Sequence, residues 1–192
     1  DGYIEMTQLT KIQGSIKDAC ERWNKTAEKL SQPRLNIIPF KFTVSHLLRA
    51  TRTLSGTRDH LLLTGQPSTG KHTVLMMAAE LLHFSYVDMD IAQLLSQNGG
   101  WRTALKKTLV SAAKGERILL VISLNCSAPK ILEDLYTVLK PCSFLDIFSK
   151  GETEMLVMEF REKAVAAKTM ITEELSDAHV MEYFVEKCTE NL

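Results

Sequence analysis

Apolar residues recur at alternating steps of three and four near the start of the chain, at Leu9, Ile12, Ile16, Ala19, Trp23, Ala27 and Leu30. At about 3.6 residues per turn these steps keep one face of a helix apolar, and Ser31-Gln32-Pro33 ends it. Gly14 interrupts the stripe, which spans only about three heptads and so reads as a helix packed on its own domain rather than a coiled coil. Leu35 to Phe40 is a short extended apolar stretch with a proline, suited to a loop or an edge strand. Helical spacing then returns, with Val44, Leu47, Leu48 and Leu54 inward and Arg49 and Arg52 outward.

From Leu61 the period changes. A strand over 61–64, a helix over 70–83 and a strand over 84–89 make a βαβ unit, which implies a parallel sheet and a right-handed crossover. A helix over 101–113 leads to Ile118 through Leu124, an unbroken apolar run that fits a central strand buried on both faces. Ser127 can cap the following helix, with Pro129 in its first turn, and that helix runs to Leu139. Helices over 154–170 and 177–190 complete the pattern. The chain carries no internal repeat and no low-complexity tract.

Composition narrows the classes without choosing among them. With 192 residues, 45% apolar and 24% charged, the chain is an ordinary globular sequence, neither collagenous, disordered nor disulfide-dense. Lys plus Arg number 23 and Asp plus Glu number 23, so nothing marks an electrostatic footprint for nucleic acid or an acidic membrane surface. Cys20, Cys126, Cys142 and Cys188 form no C-x-x-C pair, and reduced thiols in an intracellular compartment are expected. Asn24-Lys25-Thr26 and Asn125-Cys126-Ser127 match glycosylation sequons but are read as silent. The apolar runs fall short of the ~20 residues of a membrane span, so no membrane association is expected.

The strongest chemical signal is Gly65-Gln66-Pro67-Ser68-Thr69-Gly70-Lys71-His72-Thr73, between an expected strand and an expected helix. In a P-loop, glycines let backbone amides turn around a phosphate, the helix N-terminus adds positive potential, and a lysine reaches the terminal phosphates. His72 stands where a hydroxyl ordinarily holds magnesium. Thr73 follows, but adjacent helical positions differ by about 100°, so Thr73 is a weak substitute as the metal ligand.

Phosphoryl transfer also needs an acid at a strand end to hold magnesium. Val121-Ile122-Ser123-Leu124-Asn125-Cys126 has none, and the next acids, Glu133 and Asp134, fall inside a helix and read as a solvated face. No catalytic residue is assigned. His46, His60, His83 and His179 are scattered and read as structural or exposed, and no G-x-S-x-G setting supports a serine hydrolase.

These blocks, in this order, resemble one family, the dynein heavy chains, and within them the fourth AAA+ module of the motor ring. Leu35-Asn36-Ile37-Ile38-Pro39-Phe40 followed by His46, Arg49, Arg52 and Leu54 is similar to the family's M-N-L-V-L-F stretch and H-x-x-R-x-x-R-x-L. Leu62-Leu63-Thr64-Gly65 through Lys71-His72-Thr73-Val74-Leu75, with Ala78-Ala79, resembles its P-loop block. Trp101-Arg102 with Leu105-Lys106-Lys107 and Ala112 resembles W-R-E-D-L-K-x-x-L-x-x-A, and Leu132-Glu133-Asp134-Leu135 with Leu139 and Phe148 resembles L-E-D-I-N-N-L-L and the N-L-F turn. Phe184-Val185-Glu186-Lys187-Cys188 with Leu192 resembles the F-I-x-R-C-R-x-x-L helix. His72 replaces a glutamine that this module of the family uses, so the missing first hydroxyl is shared. The missing acid is this chain's own departure, since the family's strand ends Ser/Thr-Asp-Thr-Gln and Ser123 or Leu124 occupies the acid's place here.

The resemblance implies an α/β fold, a P-loop AAA+ three-layer αβα module with a parallel sheet. It would be incomplete in its C-terminal strands and helical lid and preceded by an N-terminal helix, with residues 1–32 a helical linker and 33–192 a partial large subdomain. It implies ATP or ADP as ligand, with Mg2+, held by Gly65, Ser68, Thr69, Gly70, Lys71, His72 and Thr73, and the backbone near Ile37 and Ile38 bordering the adenine. Partners would be neighbouring AAA+ modules of the same polypeptide and dynein complex subunits, with microtubules reached only through other parts of the chain. The location would be the cytoplasm, the cytoskeleton or a ciliary axoneme. The leading reading is a module that binds nucleotide with weak or no hydrolysis and acts in regulation or structure. The alternatives are a pseudo-ATPase scaffold that binds no nucleotide, and an ATPase whose acid comes from a neighbouring region.

Overall fold

Helix α3 (Lys71–Leu82) explains the arrangement of the first of two compact units, Asp1–Ser85 and Tyr86–Leu192. Four consecutive residues, Met76 to Ala79, are buried on it, more than one face of a helix can offer. They are buried because α1 (Leu9–Leu30) and α2 (Lys41–Leu54) each pack on α3. The computed structural model describes residues 9–30, 32–56, 59–95, 100–123, 129–139, 144–168 and 176–192.

The stripe on α1 is the expected one, with Ile12, Ile16, Ala19, Trp23 and Ala27 buried. On α2 the buried residues are Val44, Leu47, Ala50 and Leu54. Leu48, expected inward, is 42% exposed, because it sits about 100° round the helix from Leu47 and Ala50 fills the inward step. Arg49 and Arg52 are exposed, as expected.

The strand expected over 61–64 does not form. Leu62 is 83% exposed, and the stretch belongs to no ladder among the described residues, where the sheet has two strands. A run of apolar residues becomes a strand only where a neighbour takes its N–H and C=O groups, so the βαβ unit expected across 61–89 is corrected. The described parallel pair is β1 (Ser85–Asp90) with β2 (Ile118–Ser123). The connection between them carries α4 (Ile91–Leu95), a short helix that sequence periodicity does not reveal, and α5 (Gly100–Ala113).

In the second unit, β2 buries Ile118, Leu119 and Val121, so consecutive residues on opposite faces are covered, as its unbroken apolar run predicts. The described chain continues through α6 (Pro129–Leu139), a 3-10 turn at Phe144–Ile147, α7 (Lys150–Lys168) and α8 (Asp177–Asn191). The Ser127 cap falls outside the described residues. Helix α8 packs on α5 and α7, with Phe184 edge-on to Phe160 at 5.2 Å and to Phe148 at 5.9 Å. The Cys188 thiol donates to the Leu109 carbonyl at 3.2 Å and Asn191 Nδ2 to that of Ala112 at 3.1 Å. Burial pushes the Cys188 thiol up to about 12, so it remains a protonated packing group.

Two charged residues of α5 tie down the helices that follow it. Arg102 donates Nε and Nη2 to Asp134 on α6 at 3.0 and 2.8 Å, and Asp134 is only 9% exposed. Asp134 is therefore not on a solvated face as expected, whereas Glu133 is exposed. Lys106 reaches both oxygens of Glu152 at 2.8 and 2.6 Å. Glu152 also accepts from the Ser149 N–H and hydroxyl at 2.7 and 2.9 Å, the return arm of a capping box at the start of α7. No helix among the described residues is long and apolar enough to cross a membrane.

The bonds from Lys106 and Ser149 hold the Glu152 carboxyl at about 2, below its usual 4.5. A carboxyl whose pKa is lower in the folded state contributes stability above its unfolded pKa and loses it as pH falls through the folded one. Thermal melts of the wild type and Glu152→Gln should differ by a constant amount above pH 4.5 and converge between pH 4.5 and about 2. An unchanging difference across that window would show that the carboxylate charge contributes nothing.

Candidate functional site

The loop over 65–70 leads into α3, whose first residue is Lys71. Gly70 is its N-cap, with φ 81° and ψ 17°. A Cβ there would meet nothing within 4 Å, so backbone conformation rather than space requires glycine. Ser68 also has a left-handed backbone, φ 61°, uncommon for a residue with a side chain and characteristic of loops that present amides to a ligand.

The ladder of α3 begins with Val74 N–H donating to the Gly70 carbonyl at 3.0 Å. The amides ahead of it form the electropositive end of the helix, and no acidic residue lies in the first turn. Lys71 Nζ folds back across the loop, donating to the carbonyls of Gly65 at 2.8 Å and Gln66 at 2.6 Å, with Thr69 Oγ1 at 3.4 Å. Thr69 Oγ1 donates to the Gln66 carbonyl at 2.9 Å. Gly65, Ser68 and Thr69 are exposed and Gly70 and Lys71 half-buried, so an ammonium and the head of a helix converge on a surface open to solvent. That donor set suits an anion with several oxygens, which can take charge-assisted bonds from Lys71 in place of its carbonyl partners.

The metal side is poorer. His72 is exposed and Thr73 half-buried at the next helical position, and an imidazole is not the hard oxygen donor that magnesium takes. In the other unit, β2 carries no carboxylate from Ile118 to Ser123, and Leu124, the alternative place for the acid, lies outside the described residues.

Ile37 and Ile38, expected near the adenine, lie in the same unit as the loop, in a segment bonded to α1. Trp23 Nε1 donates to the Pro33 carbonyl at 3.0 Å. Asn24 donates to the Leu35 carbonyl at 2.9 Å and accepts the Leu35 N–H at 2.7 Å. Gln13 Nε2 donates to the Pro39 carbonyl at 3.0 Å. The segment is extended but its polar backbone is satisfied by a helix, not by a strand, and Leu35, Ile37 and Pro39 are more covered than Asn36, Ile38 and Phe40. Ile38 is 75% exposed, while Ile37 sits on the side of the segment toward α1. Side chains of α1 escape sequence reading because the stripe that defines the helix does not identify its polar clamps. His46, His60, His83 and His179 are all exposed, and no cluster of metal-ligating side chains occurs among the described residues.

A glycine-capped loop closed by lysine at the head of a helix, in a chain that also carries a small parallel sheet, marks a P-loop αβα protein. The chain belongs to the family of the P-loop containing dynein motor region D4, whose model matches residues 35–192. It is similar to human dynein axonemal heavy chain 3, 22% identical over 187 residues, and to human dynein axonemal heavy chain 6, 21% identical over 192 residues. These alignments cover 96% and 99% of this chain and 4% of either relative. A cytoplasmic dynein heavy chain of Paramecium tetraurelia is 26% identical over 166 residues, covering 84% of this chain and 3% of that one. The chain thus spans a few hundredths of the length of the relatives it matches.

Gly70→Ala should lower unfolding free energy by about 1–2 kcal/mol, the usual cost of the left-handed region for a residue with a Cβ. Denaturant titration checks this, and an unchanged midpoint would mean that the loop relaxes out of that conformation.

Proposed function

We propose that the chain is a nucleotide-holding AAA+ module of a dynein-type motor protein, binding ATP or ADP with weak or no hydrolysis and serving a regulatory or structural role. The observation that supports this reading is the Lys71 ammonium held against the Gly65 and Gln66 carbonyls at the head of α3, the kind of charge that a P-loop offers to phosphate oxygens. Gly65, Ser68, Thr69, Gly70, Lys71, His72 and Thr73 would surround the phosphates. The backbone near Ile37 and Ile38 would border the base. Magnesium would enter on the phosphates, with Thr73 as its protein hydroxyl, and would supply charge neutralisation there. The acid-free β2 argues for holding over turnover.

In this reading residues 1–32 are the helical lead-in to the module and 33–192 part of its large subdomain. Neighbouring AAA+ modules of the same polypeptide and dynein subunits would be its partners, and microtubules would be engaged elsewhere in the protein. A cytoskeletal setting, ciliary or cytoplasmic, follows from the axonemal and cytoplasmic relatives. One observation favours a second reading, a scaffold that binds no nucleotide: Lys71 is already bonded to its own loop, so an anion must displace those contacts.

Equilibrium binding of a fluorescent ATP analogue, with and without magnesium, tests the choice. Binding by the wild type that falls at least tenfold in Lys71→Ala, the effect of losing roughly 1.4 kcal/mol, without steady phosphate release, supports the holding module. Absence of binding by the folded chain leaves the scaffold.

A further inference from the structure

Four side-chain-to-backbone hydrogen bonds run from α1 to residues 33–39, and they order that segment as a strand partner would. The bonded residues are Pro33, Leu35 and Pro39, every one an odd position, and the thiol of Cys20 also meets the backbone of Ile37. In extended chain alternate residues face the same way. Leu35 is buried and Ile37 and Pro39 are half-buried, whereas Asn36, Ile38 and Phe40 are exposed, so from Leu35 on the odd side chains are the covered set and the even ones face solvent. The order of partners, Trp23 and Asn24, then Cys20, then Gln13, runs backward along the helix as the segment runs forward, so segment and helix are antiparallel.

Asn24 is the register pin. Its amide takes both the N–H and the C=O of Leu35, a two-point match that a segment shifted by one residue cannot keep. A one-residue slip in extended chain exchanges the faces, turning Ile37 outward and Ile38 in. The same helix is tied to the helix that carries the phosphate loop: Arg22 Nε meets Glu80 Oε1 at 3.0 Å, and α1 packs on α3. Both sides of the proposed nucleotide site thus hang on α1, which lies before the stretch matched by the family model.

We infer that α1 is a built-in positioning element of the nucleotide site, in which Asn24, aided by Trp23 and Gln13, fixes the register that presents Ile38 to the base. The inference rests on the nucleotide-holding reading above. Asn24, Trp23 and Gln13 are positioning residues, acting through the segment they hold. Their loss should weaken recognition of the nucleoside and leave the phosphate contacts alone.

Calorimetric titration with ATP and with inorganic tripolyphosphate separates the two. The variant is Asn24→Leu, which keeps the branching at Cγ and removes both hydrogen bonds, and amide exchange at Leu35 reports whether the pin is gone. The expected result is ATP binding weakened by about tenfold, the scale of two lost hydrogen bonds, with tripolyphosphate binding unchanged and Leu35 exchanging faster. Gln13→Ala, which leaves no buried hole, should weaken ATP by about threefold, as for one lost bond, and it decides the matter if Asn24→Leu does not fold. An equal loss for both ligands would mark a merely structural role and overturn the inference. So would unchanged ATP affinity with Leu35 deprotected. A wild type that binds ATP no better than tripolyphosphate overturns it while leaving the phosphate loop standing. A wild type that binds neither removes the nucleotide reading itself, and the inference with it.

Discussion

The burial of α3 from two sides is the constraint on which the rest of the first unit depends. A phosphate loop is a poor structure by itself: residues 65–69 are exposed, and the bonds described within it come from Lys71 and Thr69. What fixes it is the helix at its end. Met77, Ala78 and Ala79 are wholly buried, and burying a methionine-sized side chain contributes roughly 1.5–3 kcal/mol. Packing of that kind holds the head of α3 in one place, so Gly70 can keep a left-handed backbone and the first amides of the helix can face outward together.

The second unit is organised around α5 in a way that explains one of its sequence blocks. Trp101 and Leu105 are one helical turn apart and buried. Arg102 and Lys106 repeat the spacing on the adjoining face and meet Asp134 and Glu152. An isolated exposed pair stabilises little, but Asp134 is nearly buried and is held bidentately, a geometry that lysine could not reproduce. The W-R-x-x-L-K pattern is thus two stripes at once, one apolar and one cationic. The cationic one selects where α6 and α7 attach.

Much of this was legible from the residues. Period and punctuation located the long helices within a few positions, and the spacing of Gly65, Gly70 and Lys71 located the phosphate loop. Legibility failed wherever the answer depended on a distant partner. Leu61 to Thr64 has the composition of a strand and no described strand beside it. Leu48 is as apolar as Leu47 but points elsewhere. Asp134 is indistinguishable from Glu133 until Arg102 is placed against it. Residues 33–39 show apolar character without showing that their backbone is bonded to the side chains of a helix.

The bonds of Lys71 bear on what such a module could do beyond occupancy. A ligand shifts a conformational equilibrium only by the difference in its affinity for the two states. With Lys71 closed on the carbonyls of its own loop, phosphate binding would exchange those contacts for others. A site that hydrolyses must cycle between the two. On the nucleotide-holding reading, β2 without an acid would leave turnover slow, and the exchange would follow ligand binding and release alone. A lysine and two glycines without a strand-end acid would, on that reading, serve occupancy better than turnover.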